Sequence, residues 1–178
     1  WMAIYGLKNT DAVRIKETVP KVKRVLPILN KRLNVVHGRR EVDCQLIGTY
    51  PYYPEFTQSK IIAGQFLNEA EENSKASSCV ISLELAQRLF AGHNPLMETV
   101  EVRGYESSQI FQVKGILEER VDTEKLPQLP DAMGHTIAAN VYIPLSTFKS
   151  LYGVKNVDRS VGRLKLERVE LSEIRVEF

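Results

Sequence analysis

A chain of 178 residues, 43% hydrophobic and 26% charged, is long enough for one domain or two small ones and buries about 70% of its unfolded surface on folding. Its 24 Lys and Arg against 22 Asp and Glu leave a formal charge of +2, which argues against a nucleic-acid partner. No apolar run approaches the ~20 residues that span a bilayer, and no signal-peptide pattern is present.

The chain opens on Trp1 without an initiator methionine. An interfacial Trp suits a membrane segment just upstream, and a vector-derived residue explains it equally well. Residues 3–7 read as a short strand. Thr10 or Asp11 caps a helix carrying Val13, Ile15 and Val19, which Pro20 ends. Residues 22–29 form a strand that Pro27 confines to an edge or a bulge. Residues 33–36 and 42–47 flank Gly38 as a β-hairpin, with Val42, Cys44 and Leu46 inward and Asp43 and Gln45 wet. The basic cluster Lys21, Lys23, Arg24, Lys31, Arg32, Arg39 and Arg40 alternates with apolar residues, as solvated strand faces do, in preference to an anionic partner or lipid headgroups.

Tyr50-Pro-Tyr-Tyr-Pro-Glu-Phe56 is an aromatic and proline turn. It is either a packed loop or, because Tyr is enriched at interfaces, a contact surface with Tyr50, Tyr52, Tyr53 and Phe56 as candidate partner contacts. Residues 61–64 form a strand, and Glu69, Glu71 and Glu72 follow in a segment that lacks the spacing and central Gly of a calcium loop, so an exposed turn is expected.

Residues 79–96 carry the strongest local signal. Val80 and Ile81 make a buried strand that runs into a helix capped by Ser82, with Leu85, Ala86, Leu89 and Phe90 on one face. Gly92 offers the left-handed stop and Pro95 prevents continuation. Alternating strands at 99–102 and 110–117 are joined by a turn at Gly104, Ser107 and Ser108. Residues 118–138 contain Pro127, Pro130 and Gly134 and little periodicity, a loop long enough to be mobile or functional. Residues 141–143 are a strand, Pro144 opens a helix through Leu151, and Gly153 stops it. A polar loop then leads to a β-patterned tail, 164–178. That tail ends in mid-pattern, which suggests a piece of a longer polypeptide. The class is α+β with mixed and antiparallel sheets.

Chemistry is sparse. His37, His93 and His135 have no helical ligand spacing and no Cys-x-x-Cys accompanies them. No nucleophile elbow or phosphate-cradling Gly-rich loop is present. His135 with Asp131 is a conceivable acid–base pair and defines a rival reading, a small metal-dependent hydrolase, though loop polarity explains both residues more simply. Cys44 and Cys79 sit in apolar strand patterns, where a thiol behaves as a small hydrophobe; a bridge requires neighbouring strands. No catalytic, cofactor-binding or metal residue is assigned, and no cofactor is expected.

Ile62-Ala-Gly-Gln-Phe-Leu, then the acidic segment, then Val80-Ile-Ser-Leu-Glu-Leu-Ala-Gln-Arg-Leu-Phe-Ala-Gly-His-Asn-Pro-Leu resembles the extracytoplasmic core domain of MacB-like ABC transporter permeases. Val100-Glu-Val-Arg-Gly, Phe111-Gln-Val-Lys-Gly-Ile and Val141-Tyr-Ile-Pro-Leu are similar in the same order, and Tyr5-Gly-Leu through Val25-Leu-Pro, residues 5–27, resembles the family's first strand–helix–strand unit more weakly. Met97 stands where the family usually has glycine, and the family's domain normally continues with a further helix and strand. The resemblance implies a domain between the first two transmembrane helices of a permease, on the periplasmic or extracytoplasmic side of the cell membrane. It also implies protein partners: an ATPase subunit acting through the membrane part, and a periplasmic adaptor or substrate protein. Two lobes are expected, a porter-like one from residues 1–56 and 163–178 and a β-rich one from 57–162 with helices near 82–91 and 145–152. The implied role is non-enzymatic relay of ATP-driven motion in export. Cell-division regulators of FtsX type share the architecture. Contact surfaces are expected at 50–56 and at 118–138, and no site residue is carried over from the family.

Overall fold

The computed structural model describes residues 24–105, 107–119, 139–153, 156–160, 163–167 and 173–177. The strand expected at 3–7, the helix before Pro20, Lys21, Lys23, and most of the 118–138 loop with Asp131 and His135 lie outside these residues.

Strand β1 runs from Arg24 to His37, one strand where two were expected. It is continuous because the polar residues between the two apolar runs keep the two-residue period. Lys31 lies in phase with buried Leu29 and Leu33, and its ammonium sits 4.8 Å from the ring centre of Tyr152. A two-residue loop, Gly38–Arg39, with Gly38 at φ +58, turns the chain into β2, Arg40–Thr49. As expected, Val42, Cys44 and Leu46 are buried while Asp43 and Gln45 are exposed.

The remaining elements are α1 (Tyr53–Thr57), β3 (Lys60–Gly64), α2 (Glu69–Ser74), β4 (Ser78–Ser82), α3 (Leu83–Phe90), β5 (Thr99–Arg103), β6 (Ser108–Glu118), β7 (Asn140–Pro144), α4 (Leu145–Tyr152), β8 (Asn156–Ser160), β9 (Arg163–Glu167) and β10 (Glu173–Glu177). The fold is therefore α+β with short helices and a mixed sheet. Pairing runs β1–β2–β7–β4–β6–β5 and back to β1, so six strands close into a ring. Two of those pairings, β2 with β7 and β4 with β6, are parallel. β3 extends the sheet beyond β6, and β10 lies antiparallel to the first five residues of β1. Pro27 sits in that outer stretch, opposite Ile174. β8 and β9 form a separate hairpin, where a polar loop was expected after Gly153.

Strand alternation sorts the core into two clusters. One face of the ring strands presents Leu33, Val35, Cys44, Leu46, Cys79, Ile81, Val102, Phe111 and Val141 to a single cluster, which Leu85, Leu89, Phe90 and Phe148 from α3 and α4 join. The opposite face is wet over the second half of β1 but covered over its first half. There Leu26 and Ile28 join Ile47, Val80, Leu117 and Tyr142 under Tyr53 and Leu67. The lobe boundary expected at residue 56 is therefore not a break in the sheet. β1 and β2 from one side of it pair with β5 and β7 from the other.

The helix ends follow local rules with two differences from expectation. Ser82 Oγ accepts the Leu85 N–H at 3.3 Å, capping α3 as read from the sequence. The left-handed stop begins on Ala91, φ 49, one residue before Gly92 at φ 89. The acidic segment is a helix and not a plain exposed turn. Asn68 Oδ1 accepts the Glu71 N–H and Glu71 returns a carboxylate to the Asn68 N–H, a complete capping box. α4 lies close on β2 because Gly48 has no side chain: a Cβ there would fall 2.6 Å from Phe148.

Candidate functional site

The aromatic segment after β2 folds against the covered side of the sheet. The Tyr53 N–H bonds to the Tyr50 carbonyl at 3.0 Å, Pro54 sits in the first turn of α1, and the Phe56 N–H returns to Tyr52. This turn points Tyr53 inward. It is 2% exposed and packs against Phe66 and Tyr142, with ring centres 6.1 and 5.2 Å away. Tyr53 is therefore a core residue and not an exposed partner contact. Tyr50, Tyr52 and Phe56 are half-buried, and the Tyr50 and Tyr52 rings stack at 5.7 Å. Half-buried Ile61 and Phe66 pack on the same cluster.

A carboxylate lies beneath these rings. The phenol groups of Tyr53 and Tyr142 both donate to Glu119 Oε1, and Asn140 Nδ2 donates to the Tyr142 hydroxyl at 3.2 Å. Tyr142 is wholly buried, and desolvation first, then the neighbouring Tyr53 and Glu119, push its phenol well above its ordinary range. The network joins α1, the end of β6 and the start of β7. It thus links the two surfaces that the sequence suggested separately, the 50–56 turn and the segment that begins at Glu118. Nothing in the sequence joined Glu119 to Tyr53 and Tyr142, because these partners lie 66 and 23 residues from it.

The other candidates have structural roles. His37 Nδ1 lies 3.0 Å from the Thr99 carbonyl and its ring packs on Phe90 at 4.3 Å; His93 is exposed on the turn after α3. Cys44 and Cys79 are buried free thiols on β2 and β4, strands separated by β7, so they are not on neighbouring strands. Burial pushes the Cys44 thiol up to about 12 and Cys79 higher still, which leaves both unreactive. In the basic cluster, Arg32 donates Nε to Asp43 Oδ2 at 3.0 Å and Arg40 donates to the Arg88 carbonyl at 3.2 Å. An open groove on the wet face of β1, β2 and β5 is lined by Arg32, Asn34, Glu41, Asp43, Arg103 and Tyr105. Its charges are matched locally, Arg32 with Asp43 and Arg103 with Glu101. Among the described residues no group of three His, Cys, Asp or Glu is placed to hold a metal ion. No helix among them is long and apolar enough to cross a membrane.

The chain is 27% identical over 116 residues to the pyoverdine export ATP-binding/permease protein PvdT of Pseudomonas savastanoi, a match spanning 65% of this chain and 17% of that protein. It is 29% identical over 116 residues to the macrolide export ATP-binding/permease protein MacB of Syntrophobacter fumaroxidans, covering 65% of this chain and 16% of the relative. The chain thus spans about a sixth of the length of the curated relatives it matches. Its fold is similar to the extracellular domain of the noncanonic ABC-type transporter YknZ from Gram-positive bacteria, with a TM-score of 0.68 at 19% identity over 96% of this chain and 72% of that one. The periplasmic region of MacB from Actinobacillus actinomycetemcomitans gives 0.66 at 20% identity, over 98% and 65%. The model of one family, described as MacB-like periplasmic core domain, matches residues 3–171, and the chain belongs to that family.

Proposed function

We propose that this chain is the extracytoplasmic domain of an ABC transporter permease and relays ATP-driven motion to a substrate or partner protein in export. The observation that carries the reading is the family match over residues 3–171. The likeness of the fold to extracytoplasmic domains of two transporters supports it. In this reading an ATPase subunit drives the domain through membrane segments that flank it, and a periplasmic adaptor or substrate protein docks on it.

The architecture suits a relay. A closed ring of strands packed around one core resists deformation and passes a displacement on as a rigid body. The two-lobe arrangement is retained with a moved junction. A porter-like lobe would be built around residues 24–28 of β1 and β10, and the ring would form the β-rich lobe. The junction then falls inside β1 and not at residue 56, so both lobes share one uninterrupted strand.

The partner surface is assigned to Tyr50, Tyr52 and Phe56, beside the point where the chain leaves β6 at Glu119. The test uses the permease that carries this segment, with Tyr52→Ala and Phe56→Ala introduced together. Cross-linking to the partner from position 50 and export should both fall, while ATP hydrolysis stays close to wild type and the domain, less stable because both side chains pack on the core, still melts in one cooperative transition. Unchanged export and cross-linking would remove this surface from the reading. Turnover of a small molecule by the isolated segment would end the relay reading itself.

A further inference from the structure

The tyrosine–carboxylate network beneath the aromatic turn joins three distant parts of the chain. Tyr53 belongs to α1, Glu119 directly follows β6, and Asn140 and Tyr142 belong to β7. Both phenols donate to the same oxygen, Glu119 Oε1, and an ionised carboxylate, an acceptor only, can serve both. Asn140 Nδ2 donates to the Tyr142 hydroxyl at 3.2 Å, so that hydroxyl accepts on one side and gives its proton to Glu119 on the other. β7 is itself paired with β2 and with β4, which holds Tyr142, and through it the carboxylate, to the ring.

Packing and hydrogen bonding hold the turn in different ways. The Tyr53 ring is buried against Phe66 and Tyr142, contacts that fix its depth without fixing a direction. The bonds from the Tyr53 N–H to Tyr50 and from the Phe56 N–H to Tyr52, each 3.0 Å, lie within the segment; they set its shape and not its attitude to the sheet. The Tyr53 phenol differs from both. It reaches a residue 66 positions away, and a hydrogen bond weakens steeply as its angle departs from linear. Tyr50, Tyr52 and Phe56 all lie within three residues of Tyr53, so a tilt of Tyr53 re-aims all three half-buried rings.

We propose that Glu119 is a positioning residue for the partner surface: by taking the Tyr53 and Tyr142 phenols on one oxygen, it sets the direction in which the turn presents Tyr50, Tyr52 and Phe56, and it passes a shift of β6 and β7 to those rings. This role rests on the partner surface proposed above, whereas the tie itself needs no partner. Because both phenols share one acceptor, the three groups act together and their substitutions are not additive. Glu119 acts on the turn only through Tyr53, and that order of action separates a positioning tie from a general loss of stability.

The test on the 178-residue chain is amide hydrogen exchange, read at the Phe56 N–H. Glu119→Leu should lower its protection about five- to tenfold, the range of one net hydrogen bond, and Tyr53→Phe should lower it equally. The two together should match either alone within about twofold. Glu119→Gln, which keeps an oxygen acceptor, should restore most of the protection. With Tyr142→Phe in place, Glu119→Leu should still lower it, since the bond from Tyr53 remains to be lost. In the permease, Glu119→Leu should reduce cross-linking from position 50 and Glu119→Gln should not. Four results would each overturn the proposal: unchanged protection in Glu119→Leu, a further fall when Tyr53→Phe is added, a Gln variant as open as the Leu one, or cross-linking that Glu119→Leu leaves intact while Tyr52→Ala with Phe56→Ala lowers it. If that alanine pair leaves cross-linking unchanged while the exchange pattern holds, the partner surface is lost, and with it the role given to Glu119, although the tie stays.

Discussion

Single residues carry much of the strain and much of the stability. Met97 is at φ +70 and 71% exposed, and its N–H donates to the Val113 carbonyl at 2.8 Å. This is the left-handed region where a Cβ is disfavoured, and it explains physically why a glycine suits the position. Met97→Gly should stabilise the chain by about 1 kcal/mol, read as a higher denaturation midpoint at unchanged slope. Gly64 and Gly115 face each other across β3 and β6, and a Cβ on Gly115 would lie 2.2 Å from the Gln65 carbonyl oxygen. Both glycines belong to motifs that carried the family resemblance, and here they are needed for close approach of two backbones. Gly115→Ala should cost about 1–3 kcal/mol or more, because the clash is with backbone that cannot swing aside. Tyr53→Ala should cost about 3–5 kcal/mol, as for a large aromatic removed from a core. Tyr53→Phe should cost about 1–2 kcal/mol, through the lost hydrogen bond to Glu119.

At the scale of elements, the strand-to-helix passage from β4 into α3 is the most tightly specified. Ser82 Oγ accepts two backbone N–H groups, that of Leu85 at 3.3 Å as the cap and that of Asn140 at 3.0 Å from β7. Ser82 is 4% exposed, so removing the hydroxyl orphans two shielded donors. Ser82→Ala should therefore cost about 2 kcal/mol, more than an isolated cap, and speed exchange of the Asn140 amide as well as that of Leu85. Loss at Leu85 alone would show that the link to β7 is idle. The cap itself was legible, because Ser precedes a helical apolar pattern. The bond to Asn140 was not, since it joins residues 58 apart.

For the whole molecule, acid response depends on groups of opposite sign. The hydrogen bond from Arg32 holds the Asp43 carboxyl below its usual range, whereas burial holds that of Glu72 above it. Asp43 contributes stability that is present above the ordinary carboxylate pKa and is lost as pH falls through its lowered value; Glu72 opposes folding at neutral pH and ceases to do so on protonation. Asp43→Asn should therefore remove that contribution wherever the carboxylate is ionised, pH 6 to 8 included, and flatten the acid limb of a stability–pH curve. An acid limb as steep as wild type would assign the loss to other carboxylates. The pair is solvent-exposed, so its effect should also shrink with added salt.

The sequence by itself determined what local periodicity can encode: the inward faces of β2, β4 and β6, the cap on α3, the Gly38 hairpin, and Pro144 and Gly153 bounding α4. It also carried the family, because the motifs kept their order along the chain. Tertiary structure decided which strands meet. The parallel pairing of β2 with β7 and the closure of β5 on β1 join segments about 65 to 95 residues apart, chosen by collective burial and not by any short-range pattern. The same reason turned Tyr53 inward. Alternation and composition mark a tyrosine as amphipathic, but only the packed sheet supplied the apolar floor and the Glu119 carboxylate that drew it into the core.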